Sequence, residues 1–240
     1  MRFAPFIDET LLAPEVGPAD IDRLCERAAR HRVASVCVNP LWVARCAERL
    51  AGSKVAVASV VGFPFGASET SVKVREAVQA VAQGARELDM VAGLGLLKAA
   101  LWDEVGRDIR LVVDETPGIV VKVIIETALL TEDEIVRASE VVRDAGAGFV
   151  KTSTGFHAAG GATIDAVRLI RRTVRDSVGV KASGGIRDCR TAQAMFDAGA
   201  TRIGTSRGAE LAECTGPGPR RWAELDWVGE VNDREHRVLR

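Results

Sequence analysis

The sequence predicts an α/β chain folded as a single-domain (β/α)8 barrel of the TIM type. Three observations lead there. Short β-branched runs alternate with amphipathic helical periods, the pattern of parallel strands joined by crossover helices. Eight alternations fit into about 210 residues, which suits a closed barrel better than an open sheet, and 240 residues is an ordinary length for one barrel. No glycine-rich dinucleotide fingerprint follows the first strand, which weakens the case for an open, doubly wound sheet.

Taken in order, strands are expected at 5–8, 34–39 (ASVCVN), 55–61 (VAVASVV), 86–91 (RELDMV), 119–126 (IVVKVIIE), 148–153, 178–183 and 201–205. Between them, Ile21, Leu24, Cys25, Ala28 and Ala29 recur on one helical face, and so do Val74, Ala77, Val78, Val81 and Ala82. Thr131 and Glu134 form a capping box ahead of IVRASEVV. Asp188 reads as the N-cap of CRTAQAMFDA, with Gly199 as its stop, and Gly84 ends an earlier helix. The barrel is expected to occupy residues 1–214. From TGPGPRR (215–221) the alternation breaks, and 215–240 reads as a charged C-terminal extension with two tryptophans, either packed on the barrel or lying over the site.

Composition excludes several classes of function. A net charge of −1 leaves no electrostatic footprint for nucleic acid or an anionic membrane. MRFAPFIDET lacks a signal-peptide pattern, and the longest apolar run, VAVASVVGFPFGA, is too short to span a bilayer. A soluble, cytoplasmic protein is expected. The five cysteines are odd in number and lack CxxC spacing, so neither a disulfide framework nor a zinc site is favoured. His31, His157 and His236 are widely separated, so neither a metal nor another cofactor is expected, and His157 reads as an exposed loop residue. Cys37, in SVCVNP, reads as a small buried hydrophobe.

Lysine usage says more than the totals do. Of 32 basic residues only Lys54, Lys73, Lys98, Lys122, Lys151 and Lys181 are lysines. Three of these fall in or at the ends of apolar strand-like runs: IVVKVII, GFVKTST and VGVKASGG. Arginine stays protonated, whereas a lysine amine can be deprotonated by its surroundings and attack a carbonyl. In a parallel barrel the C-terminal strand ends carry the active site, and Lys151, Lys181, Asp89 and Asp8 are expected at or near such ends. Two ammonium groups on adjacent strands disfavour each other, and apolar walls act in the same direction. A neutral amine near pH 7 is the expected result.

The strings FVKTSTGF, VKASGGIR, VVGFPFG, ELDMV, VKVIIET and RIGTS occur in the order found in DeoC-type deoxyribose-phosphate aldolases, and the chain resembles that class I aldolase family from about Ile7 to Ser206. The resemblance implies Lys151 as the Schiff-base nucleophile and Lys181 as the neighbour that tunes it. It also implies a proton relay through Asp89 and Asp8. The implied reaction is reversible cleavage of 2-deoxy-D-ribose 5-phosphate to acetaldehyde and D-glyceraldehyde 3-phosphate, so the implied partners are a phosphorylated sugar and small aldehydes. A homodimer is compatible with the sequence.

SGGIR (183–187) and IGTSRG (203–208) fall after strands seven and eight, where barrels commonly bind phosphate. Gly155, Gly184, Gly185, Gly204 and Ser206 are the expected cradle. Three features depart from the family pattern. Glu9 stands where histidine is frequent and adds a charge beside Asp8; Arg207 follows IGTS; and the chain has no tyrosine, so a C-terminal tyrosine is missing. Two alternatives remain open: a lysine aldolase for another phosphorylated sugar, and a non-catalytic sugar-phosphate-binding barrel.

Overall fold

Pro5 opens a 3-10 turn at Ala4–Phe6, so the first strand begins later than its apolar residues suggest. A computed structural model describes residues 1–225 of the chain. Its strands are β1 (Ile7–Leu11), β2 (Ser35–Val38), β3 (Ala56–Val61), β4 (Glu87–Val91), β5 (Val120–Ile124), β6 (Phe149–Lys151), β7 (Gly179–Ser183) and β8 (Arg202–Thr205). All eight pair in parallel with their sequence neighbours, and β8 closes on β1, forming the TIM barrel.

The outer layer consists of α1 (Pro18–His31), α2 (Val43–Arg49), α3 (Thr70–Ala82), α4 (Leu94–Lys98), α5 (Trp102–Glu115), α6 (Glu132–Asp144), α7 (Ile164–Val174), α8 (Cys189–Asp197) and α9 (Gly208–Ala212). The expected caps form. Thr131 Oγ1 accepts from the Glu134 amide while Glu134 accepts from the Thr131 amide, at 3.3 and 2.8 Å. Asp188 accepts from the Thr191 amide at 2.9 Å. Gly84 and Gly199 take the positive φ of helix-terminating glycines, 110° and 103°.

In α1 the residues Ile21, Leu24, Cys25 and Ala28 face the core, as their spacing predicts. In α3 the buried stripe is rotated from the expected one: Lys73, Ala77 and Ala80 are buried, while Val78 is exposed. The cause is a polar contact that hydrophobic periodicity does not register. Lys73 Nζ meets Asp108 Oδ2 of α5 at 2.6 Å, and Thr70 donates to Asp108 Oδ1 at 2.8 Å. A buried ion between two helices requires such partners.

The N-terminus packs against the segment that follows α9. Arg2 pairs antiparallel with Thr215, and the amide of Gly216 donates to the Met1 carbonyl at 3.0 Å. A 3-10 turn at Trp222–Glu224 follows, and Leu225 is buried. The remainder of the expected tail, 226–240, which includes Trp227 and His236, lies outside the described residues. The cysteine expectation is corrected: Cys189 and Cys214 form a disulfide with their Cα atoms 5.5 Å apart. Their 25-residue separation carries no recognisable spacing; the turn through β8 and α9 brings the second cysteine back beside α8. Among the described residues no helix is long and apolar enough to cross a membrane.

Candidate active site

Side chains alternate across a strand, so register partners share a face of the barrel. The pairings Thr10↔Cys37, Cys37↔Ala58, Val60↔Asp89, Asp89↔Lys122, Ile124↔Lys151, Lys151↔Lys181, Lys181↔Arg202 and Asp8↔Gly204 trace the inward face round the barrel. Two sectors result. On β1–β3 the inner wall holds a small apolar cluster of Leu12, Cys37, Ala58 and Val60, with Phe63 packed against it. The β4–β8 sector, together with Asp8 of β1, is ionic.

Lys151 is the last residue of β6, which ends two residues short of the expected 148–153. Lys181 and Asp89 sit two residues before the ends of β7 and β4, near the strand ends as expected, whereas β1 runs on from Asp8 to Leu11; all three lie inside the barrel below the mouth. Each is buried, at 0% exposure, and Lys151 is at 2%. The structure brings the four together. Lys151 Nζ and Lys181 Nζ each lie 2.6 Å from Asp89 Oδ2, and Lys181 Nζ also lies 2.6 Å from Asp8 Oδ2.

Three further ionic residues join them. Lys122 Nζ lies 2.5 Å from Glu87 Oε2, 2.9 Å from Asp89 Oδ1 and 3.3 Å from Asp8 Oδ2. Arg202 Nη1 lies 2.6 Å from Asp8 Oδ1 and 3.3 Å from Glu87 Oε2. Its guanidinium also stacks over Phe149, 5.6 Å from the ring centroid. The sequence reading gave Lys122, Glu87 and Arg202 no role. A signal was present: Glu87 sits two residues before Asp89, and Arg202 two before Gly204, the spacing that repeats one face of a strand.

Electrostatics separate the lysines. Burial is the largest influence on Lys151 and pushes its amine below the ordinary lysine value; Asp89 pulls it back, and Lys181 adds to the depression. The cationic neighbour is thus the lesser cause and desiccation the greater. Burial acts the same way on Lys181, but Asp8 and then Asp89 outweigh it and hold that amine above its ordinary value. Lys122 is raised too, with Asp8, Asp89 and Glu87 overcoming burial. For Asp89 burial opposes ionisation, yet Lys122, Lys151 and Lys181 hold the carboxyl well below the usual range. Cys37 Sγ lies 3.8 Å from Asp89 Oδ2, and burial followed by that carboxylate pushes its thiol up to about 11.

At the mouth, the loop after β6 is tied to the end of β5. Glu126, buried and with a left-handed φ of 51°, accepts from Thr154 Oγ1 at 2.5 Å and from the Thr154 amide at 3.2 Å. Gly155 and Gly184 take φ values of 81° and 87°, and a Cβ on Gly184 would lie 3.5 Å from the Gly155 Cα. Gly185 and Ser206 are exposed on the neighbouring loops, which Thr205 joins by donating to the Ile186 carbonyl at 2.8 Å. Gly204 lies within β8 itself, where a Cβ would meet Lys181 Cε at 3.0 Å. Its bare α-carbon makes room for the stem of that lysine.

Glu9 does not load a second charge onto Asp8. Strand alternation turns it outward, where it pairs with Arg27 of α1 at 2.8 Å. His157 is exposed, as expected, and its Nδ1 accepts from the Ala159 amide. Arg207 is exposed at the N-cap of α9. Among the described residues no group of three His, Cys, Asp or Glu side chains is placed to hold a metal ion.

A dry amine at the mouth of a closed barrel, with ionised carboxylates in proton-transfer reach, defines a lysine-based aldehyde-handling enzyme. The chain belongs to the DeoC/LacD family of aldolases, whose family model matches residues 7–211. It is 51% identical over 221 residues to a deoxyribose-phosphate aldolase of Brevibacillus brevis, covering 91% of this chain and 100% of the relative. It is 53% identical over 209 residues to that of Natranaerobius thermophilus, covering 87% and 94%. Among solved structures, the aldolase QR15 superposes with a TM-score of 0.84 at 40% identity, covering 99% and 98% of the two chains. A tetrameric deoxyribose phosphate aldolase from Aeropyrum pernix does so with a TM-score of 0.80 at 34% identity, covering 88% and 89%.

Proposed function

We propose that this protein is a class I aldolase that reversibly cleaves 2-deoxy-D-ribose 5-phosphate into acetaldehyde and D-glyceraldehyde 3-phosphate, with Lys151 as nucleophile. One observation supports this above the others: the three inward lysines differ, and only the one at the mouth has its amine depressed. The name shared by the relatives supplies the substrate.

The neutral Lys151 amine adds its lone pair to the C1 aldehyde carbon, and loss of water leaves an iminium. A base removes the C3 hydroxyl proton, the C2–C3 bonding pair moves into a C1–C2 enamine, and glyceraldehyde 3-phosphate departs. The enamine is protonated on C2, and water then releases acetaldehyde and restores the amine. Asp89, shared by Lys151 and Lys181, together with Asp8 behind Lys181, forms the relay that moves these protons. The phosphate is cradled by Gly155, Gly184, Gly185 and Ser206, with Gly204 shaping the wall below. The reading places the enzyme in the cytoplasm. The oligomeric state, from a homodimer to the tetramer named for the Aeropyrum pernix relative, is settled by light scattering.

The test is reductive trapping. Acetaldehyde with borohydride should add a two-carbon adduct to Lys151, found by peptide mapping, and the phosphorylated sugar should be cleaved. A lysine aldolase for another sugar would give the adduct without that cleavage. A non-catalytic barrel would bind the sugar phosphate and do neither.

A further inference from the structure

Seven ionisable side chains share the barrel interior: Lys122, Lys151, Lys181 and Arg202 against Asp8, Glu87 and Asp89. With every group ionised, the four cations exceed the three carboxylates by one. A low-dielectric interior penalises an unbalanced charge, and loss of a proton is the usual release. Arginine does not give one up. Among the lysines, Lys122 touches three carboxylates and Lys181 two, whereas Lys151 touches only Asp89, at an oxygen it shares with Lys181. Geometry alone therefore selects Lys151 as the group that stays neutral.

The surplus charge originates at the floor of the barrel. Arg202 binds Asp8 and Glu87 and covers the ring of Phe149, two residues before Lys151 on β6. The groups facing Lys151 are Asp89 of β4, Lys181 of β7 and Cys37 of β2; behind them stand Lys122 of β5, Asp8, Glu87 and Arg202. We propose that Arg202 is a positioning residue for the reaction. By occupying Asp8 and Glu87 it frees Lys181 and Lys122 to neutralise Asp89, and so keeps Lys151 unprotonated. The inference rests on Lys151 being the nucleophile.

The test is the pH dependence of cyanoborohydride-trapped acetaldehyde adduct at Lys151, in the full chain. Arg202→Met should move the midpoint of adduct formation upward by on the order of one pH unit, as for a unit charge two strands away at an effective dielectric of about 20. Glu87→Gln should move it downward. Arg202→Lys should leave it in place. The double variant Arg202→Met/Glu87→Gln restores the surplus of one and should return the midpoint towards that of the parent. A purely structural role would lower the rate in each variant without opposite midpoint shifts, and would make the double variant worst. Unmoved midpoints, or shifts of one sign, overturn the proposal. Should Arg202→Met fail to fold, the direction of the Glu87→Gln shift decides. Absence of an adduct in the parent protein removes the nucleophile reading first and this inference with it.

Discussion

Lys151 and Lys181 reach from adjacent strands to the same oxygen, Asp89 Oδ2, each at 2.6 Å. Strand register places them level, Lys151 opposite Lys181. What distinguishes them is the second partner. Lys181 has Asp8 as a second carboxylate partner, and Lys151 has Asp89 alone.

Removing the proposed nucleophile is expected to abolish turnover and spare the fold. Lys151→Leu should lower kcat/KM by about 10⁴-fold or more, with a thermal unfolding midpoint at or above that of the parent. The substitution deletes a buried group that is costly to charge, and Asp89 keeps Lys122 and Lys181. Measurable turnover near the parent rate would move the chemistry to another residue.

Lys181→Leu should impair the reaction differently. With its competitor gone, Lys151 becomes a full partner of Asp89, and Asp8 keeps only Lys122 and Arg202. The Lys151 amine rises, so adduct formation shifts to more alkaline pH as well as slowing. A pH–rate profile that falls without shifting would assign Lys181 to proton transfer alone.

The phosphate cradle is tested through Gly184. Its φ of 87° disfavours any side chain, and a Cβ would lie 2.9 Å from the Gly161 Cα, so Gly184→Ala must displace the loop. KM for the phosphorylated sugar should rise about tenfold or more, a loss of about 1.4 kcal/mol. Cleavage of unphosphorylated 2-deoxyribose should change little. Equal losses for both substrates would mean that the loop serves the amine rather than the phosphate.

Stability should depend on pH at both extremes. Burial opposes the ionisation of Asp8, but Lys122, Lys181 and Arg202 drive its carboxyl far below the ordinary aspartate value of 3.8. The folded state therefore binds fewer protons than the unfolded one, and the contribution is complete above 3.8 and is lost as pH falls towards the folded value. Lys181 is raised above 10.5, so its contribution is complete below that pH and is lost as pH climbs through the folded value. Urea unfolding across pH should show an acid decline that Asp8→Asn flattens.

Reduction of Cys189–Cys214 should destabilise the chain. Closure of a loop with sequence separation 25 restricts the unfolded ensemble by roughly 3.5 kcal/mol on the chain-entropy account. Unfolding with and without reductant measures this, and an unchanged midpoint with the thiols shown to be free would count against a stabilising bridge.

The amino-acid order by itself determined the eight strands, the caps at Thr131 and Asp188, the glycine stops and the placing of Lys151 and Lys181 on adjacent strands, because periodicity, capping chemistry and lysine scarcity are all local or compositional. Lys73 fell outside the expected stripe of α3 because hydrophobic patterning does not register a paired buried ion whose partner, Asp108, is 35 residues away. Arg202 shows the limit most plainly, since it meets Asp8 across 194 residues of chain. Only closure of β8 onto β1 brings those two charges into one dry interior. How three carboxylates are shared among three lysines and an arginine is decided there, by contacts that no single stretch of sequence contains.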